Sequence, residues 1–294
     1  MKRVLVTGGS GQVGGALSQL KAQDLQFVAP RRDVLDLADA ASITTYLGQE
    51  RFDAVINCAA YTAVDKAESE KDLAWQINAT APGLIAEHCA KAKIPLLHVS
   101  TDYVFSGNSP RPYVEDDVVG PINVYGASKE AGEAAIRTRT DQHIILRTSW
   151  VISESGNNFL KTMLRLATDR DELRVVADQQ GRPTSAKDIA KTLSTMTSKA
   201  VSGSATYGTF HFANAGDTSW ADFARVIFDL SQKRGGPSAR VSSITTAEYP
   251  TPAKRPANSR LDTCKIETLY GITARPWKEA VNDILSSLIP QGAS

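Results

Sequence analysis

The feature that most restricts this chain is a glycine series set directly behind a short apolar run. Val4-Leu5-Val6 leads into Thr7-Gly8-Gly9-Ser10-Gly11-Gln12-Val13-Gly14-Gly15, with Gly8, Gly11 and Gly14 at three-residue spacing. Glycine is required where a chain turns with positive φ, where backbone approaches a pyrophosphate, and where a helix packs closely on a strand. A helix that starts at such a loop offers unpaired N–H groups and the positive end of its dipole to an anion. A glycine series alone is weak evidence. Its place between a strand and a helix, in a chain that goes on alternating the two, makes it a dinucleotide-binding loop.

The alternation runs through the first half. Gln26-Phe27-Val28-Ala29, Ala54-Val55-Ile56-Asn57, Pro95-Leu96-Leu97-His98-Val99-Ser100 and Ile144-Ile145-Leu146-Arg147 are apolar runs of strand length. Helical stretches over about 12–22, 38–48, 72–91 and 128–139 separate them. Such alternation predicts βαβ units and an α/β fold, a Rossmann-type doubly wound parallel sheet. After Trp150 the regularity fades. Helices are expected over 158–168, 186–198, 220–232 and about 277–288, short strands at Val175-Val176 and 209–212, and a turn over 178–183. This predicts a smaller, irregular α/β lobe. Residues 1–150 would form the dinucleotide-binding domain, with about 184–215 returning to it; 151–183 and 216–294 would form a substrate-binding lobe.

Charge narrows the ligand class. With 33 Lys+Arg against 32 Asp+Glu the net charge is +1, which provides no general field for nucleic acid or an anionic membrane. The three cysteines (Cys58, Cys89, Cys264) and four histidines (His88, His98, His143, His211) are scattered, without metal-ligand spacing. Reduced thiols fit best. Only three consecutive apolar residues, Val4-Leu5-Val6, precede Thr7, too few for a secretory leader, and no apolar segment reaches membrane-spanning length. A cytoplasmic protein is expected.

The end of the second strand bears on cofactor choice. An acid here would bond a ribose 2′-OH, whereas arginine accommodates a 2′-phosphate. Ala29-Pro30-Arg31-Arg32-Asp33 places two arginines first, which favours NADP(H); Asp33 leaves NADH open. Further on, Tyr125 and Lys129 stand at i and i+4, on one face of a helix. A phenol is a poor acid–base catalyst at neutral pH, and an adjacent ammonium lowers its pKa. The spacing makes a tuned general acid. Thr101, at the carboxyl end of the fourth strand, lies where open α/β sheets bind ligands, and its hydroxyl can donate to a carbonyl oxygen.

The glycine loop, the Tyr/Lys pair and the Ser100-Thr101-Asp102-Tyr103 strand end together resemble the extended short-chain dehydrogenases/reductases. Five segments narrow the resemblance to the dTDP-4-dehydrorhamnose reductases: 57–68 (NCAAYTAVDKAE), 100–105 (STDYVF), 147–151 (RTSWV), 157–159 (NNF) and 255–261 (RPANSRL). The resemblance spans residues 4 to about 262. It implies Tyr125 as proton donor, Lys129 as the ribose-binding partner that lowers its pKa, and Thr101 as the group that orients the substrate carbonyl. It implies Gly11, Gln12 and Val13 over the pyrophosphate, Asp36 and Leu37 beside adenine, and Ala59, Ala60, Tyr61 and Thr62 on the nicotinamide side. Thr101, Asp102 and Trp150 would contact a sugar nucleotide, with Val64 and Arg260 as weaker candidates. Arg255 and Arg260 would meet its diphosphate, although Arg260 has a simpler reading as partner of an acid. The implied reaction is reduction of a 4-keto sugar on a thymidine diphosphate carrier by NADPH (or NADH), feeding polysaccharide synthesis, with another nucleotide-linked 4-keto-6-deoxy sugar as the alternative substrate.

The chain departs from the resemblance in one respect. Some members dimerise through magnesium held by carboxylates, but Gly15-Ala16 and Lys187 stand at such positions here. No structural magnesium is expected, and a monomer or weak homodimer. A dehydratase would need an acid where Tyr103 stands, and a 4-epimerase usually lacks the Thr-Asp-Tyr-Val-Phe segment. A non-catalytic, cofactor-binding relative would have no use for Thr101, Tyr125 and Lys129.

Overall fold

The computed structural model describes residues 1–290. The first half consists of β1 (Lys2–Thr7), α1 (Gln12–Gln19), β2 (Leu25–Val28), α2 (Ala40–Gln49), β3 (Ala54–Asn57), α3 (Val64–Ala67), α4 (Lys71–Trp75), a π-turn (Gln76–Thr80), α5 (Ala81–Ala92), β4 (Leu96–Thr101), α6 (Val124–Arg137) and β5 (His143–Thr148). The second half adds β6 (Val151–Ile152), α7 (Phe159–Leu166), β7 (Glu172–Val176), β8 (Gln180–Gly181), β9 (Thr184–Ser185), α8 (Ala186–Val201), β10 (Gly208–His211), β11 (Thr218–Ser219), α9 (Trp220–Gln232), β12 (Arg240–Ile244), α10 (Cys264–Tyr270) and α11 (Trp277–Leu288).

Six strands form one parallel sheet in the order β10-β5-β4-β3-β1-β2. A parallel sheet is covered on both faces, so its strands are apolar on both sides. Alternate residues point to opposite faces, and the cores divide accordingly. Val4, Val6, Ala54 and Ile56 pack with Leu17 of α1 and with Ile189 and Leu193 of α8. Leu5 and Val55 pack on the other side with Ile43 and Leu47 of α2, Ile85 of α5 and Ile136 of α6. The strand order reverses between β1 and β3, where Thr7 lies beside Asn57. In open α/β sheets the ligand crevice lies outside the carboxyl ends at such a switch point.

A separate core holds the second lobe. Leu160 and Met163 of α7, Phe223 and Ile227 of α9, and Val281 and Leu285 of α11 pack on Leu173 and Val175 of β7. Three two-stranded pairs, β7–β12, β8–β11 and β6–β9, complete it. Ile266 and Tyr270 of α10 pack in the sheet core, although that segment was expected with the second lobe.

Four local expectations are corrected. The single helix over 72–91 is instead α4, a π-turn and α5. The extra residue of the turn aims Asn78 inward, where its side chain accepts from Tyr61 N (2.8 Å) and donates to Ser128 Oγ (3.0 Å). The helix expected from residue 128 begins at Val124, because Asn123 Oδ1 accepts from Gly126 N at 2.8 Å and caps it. Tyr125 therefore sits in the first turn of α6. The expected turn over 178–183 contains β8, and β12 and α10 arise in a tail that sequence reading left irregular.

A buried ion pair pins α6 to the sheet. Glu133 is fully buried and Arg147 of β5 is 3% exposed, with Oε2 and Nη2 2.7 Å apart. Burial alone raises a carboxyl pKa, but the Arg147 and Arg137 guanidiniums hold Glu133 below the usual carboxylate range. Removing one partner strands a buried charge. Glu133→Ala is expected to lower stability by about 3–5 kcal/mol, read as a fall in urea midpoint at unchanged slope. A double replacement, Glu133→Leu with Arg147→Met, loses much less.

Candidate active site

A cleft of ≈ 1610 Å³ opens at the carboxyl ends of β1, β3, β4 and β5, between the sheet and the second lobe. A typical small-molecule pocket holds roughly 300–1,000 Å³. This one has room for two ligands.

The glycine loop forms one end. Gly8 has φ +70°, and a Cβ there would stand 2.8 Å from Ala59 Cα. A Cβ on Gly14 would stand 2.2 Å from Gly8 O, so no side chain fits between α1 and the loop. Gly11 caps α1 without a side-chain hydrogen bond, which leaves the first-turn N–H groups facing an incoming anion. Gly8, Gly11, Gln12 and Val13 line the cleft, whereas Gly14 lies behind them. Gln12 also has an unforeseen role: its Oε1 accepts from Ser153 Oγ (2.9 Å) and Asn158 Nδ2 (3.0 Å), strapping the loop to the second lobe.

Arg31, Arg32, Asp36 and Leu37 line the same end. The Arg31 and Arg32 side chains are 86% and 72% exposed, paired with Asp33 at 3.2 Å and Asp36 at 3.3 Å. Exposed pairs of this kind contribute at most about 1 kcal/mol, so either guanidinium can turn to a phosphate. Ala59, Ala60, Thr62 and Val64 line the next stretch. Tyr61 does not: its phenol donates to Glu70 Oε2 at 2.7 Å, and that bond pushes its pKa up to about 12.

Thr101, Asp102, Tyr125 and Lys129 meet where β4 faces α6, all lining the cleft. The Tyr125 phenol was expected below its usual pKa; it lies above it. Burial is the main cause and the Asp102 charge adds to it, while the Thr101 hydroxyl draws it down. Lys129 Nζ does not reach the phenol because β4 holds it: it donates to Val99 O at 2.8 Å and stands 3.0 Å from His98 Nε2. Burial lowers the Lys129 ammonium to about 8.

Ser100 Oγ lies beside the Glu133 carboxylate, whereas two other buried oxygens of residues that line the cleft, Asp102 Oδ2 and Thr148 Oγ1, make no hydrogen bond. Buried polar atoms are otherwise almost always paired, so these fit polar groups of a ligand. Burial raises the Asp102 carboxyl to about 6, against the pull of the Ser259 and Thr101 hydroxyls.

Trp150 lines the far end from a left-handed backbone, φ +47°. Such a conformation is strained for a bulky residue. Its ring stacks on Trp220, centroids 3.5 Å apart, and a Cβ on Gly181 would come within 2.3 Å of it. Sequence reading missed Trp220; the signal was its place directly after Ser219, whose side chain caps α9. The structure turns the two other basic candidates elsewhere. Arg255 pairs with Asp65 at 2.8 Å, and Arg260 donates to Asn258 Oδ1 (2.8 Å) and Pro110 O (2.9 Å), with Asp217 at 3.4 Å. Neither is among the lining residues. Among the described residues no group of three or more His, Cys, Asp or Glu gathers as a metal site, and Lys187 pairs with Glu154 at 2.7 Å.

The Asp102 shift has a stability consequence. Its folded pKa, about 6, exceeds the reference value of 3.8, so the folded chain binds the extra proton. Stability rises as pH falls through about 6, and the penalty is full above that. Asp102→Asn is expected to stabilise the chain by on the order of 3 kcal/mol above neutral pH and very little under acid conditions. Thermal melts of both proteins across pH check this; an equal gain at every pH contradicts it.

Compared with known proteins, residues 1–289 match a family described as the RmlD substrate binding domain. A dTDP-4-dehydrorhamnose reductase of Sinorhizobium fredii is 44% identical over 292 residues, covering 99% of each chain. A crystal structure of a dTDP-4-dehydrorhamnose reductase from Clostridium acetobutylicum shares 37% identity with a TM-score of 0.90, over 97% of this chain and 99% of that one. Another from Bacillus anthracis, in complex with NADP, shares 35% identity with a TM-score of 0.89, over 98% and 99%. No helix among the described residues is long and apolar enough to cross a membrane. With a family match from end to end and relatives of this identity, the chain belongs to the RmlD family, that of the dTDP-4-dehydrorhamnose reductases.

Proposed function

We propose that this chain reduces the 4-keto group of dTDP-4-dehydro-L-rhamnose to give dTDP-L-rhamnose, with NADPH as the preferred reductant and NADH as a weaker one. The observation that carries the reading is the meeting of Thr101, Tyr125 and Lys129 in the same cleft as an uncapped, glycine-started helix. The family supplies the substrate class. Regulatory, non-catalytic binding has no need of that meeting.

Each residue has a role in this reading. The N–H groups at Gly11, Gln12 and Val13 hold a pyrophosphate, and Asp36 and Leu37 border the adenosine. Arg31 and Arg32 take the 2′-phosphate, being exposed and loosely paired. Ala59, Ala60 and Thr62 bound the nicotinamide side; Tyr61 contributes backbone only, fixed by Asn78. The bound nicotinamide supplies the hydride that reaches C4. Thr101 donates to the C4 oxygen, and Tyr125 gives that oxygen a proton as its charge develops. A phenol with a high pKa holds its proton at neutral pH, so the proton is in place; its release needs the pKa to fall in the complex, and the Lys129 ammonium, held on β4 out of contact with the phenol, would favour the phenolate through its field. Asp102 and Trp150, with Val64, receive the sugar nucleotide. Arg260 and Arg255 reach it only by leaving Asp217, Asn258 and Asp65.

The division of labour follows the cores. Residues 1–150, with 184–215 and α10, would bind the dinucleotide; 151–183 and the rest of 216–290 would close over the substrate, and the last four residues of the expected lobe, 291–294, lie outside the described residues. We further propose a cytoplasmic monomer or weak homodimer without magnesium. A dimer that chelator treatment dissociates in size exclusion contradicts that.

Tyr125→Phe is expected to lower kcat by about 10²–10⁴-fold with NADPH affinity nearly unchanged, measured by NADPH absorbance with the dTDP-linked 4-keto sugar. Retained turnover moves the acid elsewhere. The double variant Arg31→Ala, Arg32→Ala is expected to raise KM for NADPH by about tenfold or more, a charge-assisted contact being worth about 1.5–3 kcal/mol. KM for NADH should not move; equal changes for both cofactors remove the 2′-phosphate assignment.

A further inference from the structure

Behind Lys129 lies a run of buried groups that the reading above leaves unused. Thr7, Asn57, His98 and Lys129 are all buried, and they are linked end to end. Thr7 Oγ1 stands 2.6 Å from Asn57 Oδ1, Asn57 Nδ2 3.0 Å from His98 Nδ1, and His98 Nε2 3.0 Å from Lys129 Nζ. The run crosses β1, β3 and β4 beneath the cleft and ends on α6. At its other end Thr7 Oγ1 accepts from Ala59 N at 3.3 Å, in a segment that lines the cleft.

Counting donors restricts what this run can be. A neutral imidazole has one N–H and one lone pair. As the Asn57 amide stands, its Nδ2 donates to Nδ1; Nε2 then carries the proton, and Lys129 Nζ must accept it, which only a free amine can do. A half turn of the amide reverses every bond. Nδ1–H then donates to Oδ1, and Nε2 accepts from Nζ as an ammonium. An imidazolium fits neither arrangement, and burial beside Lys129 holds the His98 pKa well below its usual value.

The other groups facing Lys129 leave this run as the adjustable one. Cys58, from the segment after β3, is pushed up to about 12 by burial and stays a thiol. Glu133, one turn along α6, stays charged but is engaged by Arg147 of β5 and Arg137. Tyr125, one turn earlier, holds its proton. Asp102 titrates at about 6 and belongs to the acid side of any pH profile.

We propose that His98 is a positioning residue for proton transfer: it fixes Lys129 Nζ beneath the cleft and, through the polarity of the Thr7–Asn57–His98 run, sets whether Lys129 is an ammonium or a free amine. The inference rests on Lys129 serving Tyr125 as read above. The ammonium arrangement supports the phenolate, so the alkaline limb of kcat marks the point where the run reverses.

The test has two arms, one independent of turnover. In wild-type protein labelled with ¹⁵N-histidine, NMR should show His98 as the Nδ1–H tautomer near neutral pH, converting to Nε2–H across the alkaline limb. A single tautomer throughout overturns the proposal, whether or not the sugar nucleotide proves to be the substrate. The second arm compares two polar replacements by activity and melting temperature. His98→Gln reaches Lys129, whereas His98→Asn reaches only Asn57. His98→Gln should keep the alkaline limb in place. His98→Asn should shift it to lower pH by about one unit, with about a tenfold loss of kcat at the wild-type limb, because the ammonium loses an acceptor. A residue that merely satisfied Asn57 would be replaced equally well by His98→Asn, and an unshifted limb in that variant overturns the proposal.

Discussion

The rest of the structure depends on the reversal of strand order between β1 and β3, sealed by the 2.6 Å hydrogen bond between Thr7 and Asn57. The connections on either side of that seam run to opposite faces of the sheet, so no helix can cover its carboxyl end. The crevice left there is where Gly8 turns with positive φ and where α1 begins without a side-chain cap. A helix N-terminus open to an anion thus follows from topology, and it is how a nearly neutral chain would bind the anionic ligands proposed for it.

The proposed chemistry would rely on two charges that the fold buries. Lys129 and Asp102 are both buried, one lowered to about 8 and the other raised to about 6 by loss of water. Neither has a full ion-pair partner. Glu133 and Arg147, a few ångströms behind, show the opposite solution: a closed pair that holds α6 on β5. The same helix therefore carries a stabilising charge and a costly one, and the costly one faces the cleft. Trp150 follows the same pattern, since its left-handed backbone is held by the stack on Trp220 and the bare backbone of Gly181.

What the sequence made legible was local. The glycine series, the Tyr125–Lys129 spacing, the buried run Ala54–Asn57 and the bounds of α9 and α11 depend on residues close in the chain, where periodicity and caps act. What it hid was set by distant partners. The π-turn places Asn78 to bond Tyr61 and Ser128, both distant in the chain, and the one local signal was Pro82-Gly83, which opens α5 and which the expectation of a single helix passed over. Arg255 and Arg260 read as phosphate ligands by charge alone, but Asp65, Asn258 and Asp217 engage them in the fold. Lys129 was expected to act on the phenol directly; His98 and Val99 of β4 hold its nitrogen instead.

The central claim is that hydride arrives at C4 of the sugar while this chain delivers the proton to the adjoining oxygen. Turnover of dTDP-4-dehydro-L-rhamnose with NADPH carrying deuterium at the transferring nicotinamide position tests it most directly, with the product read by NMR. The expected product is dTDP-L-rhamnose with deuterium at C4 alone. Deuterium at another carbon, or consumption of NADPH without a C4-labelled sugar, contradicts it.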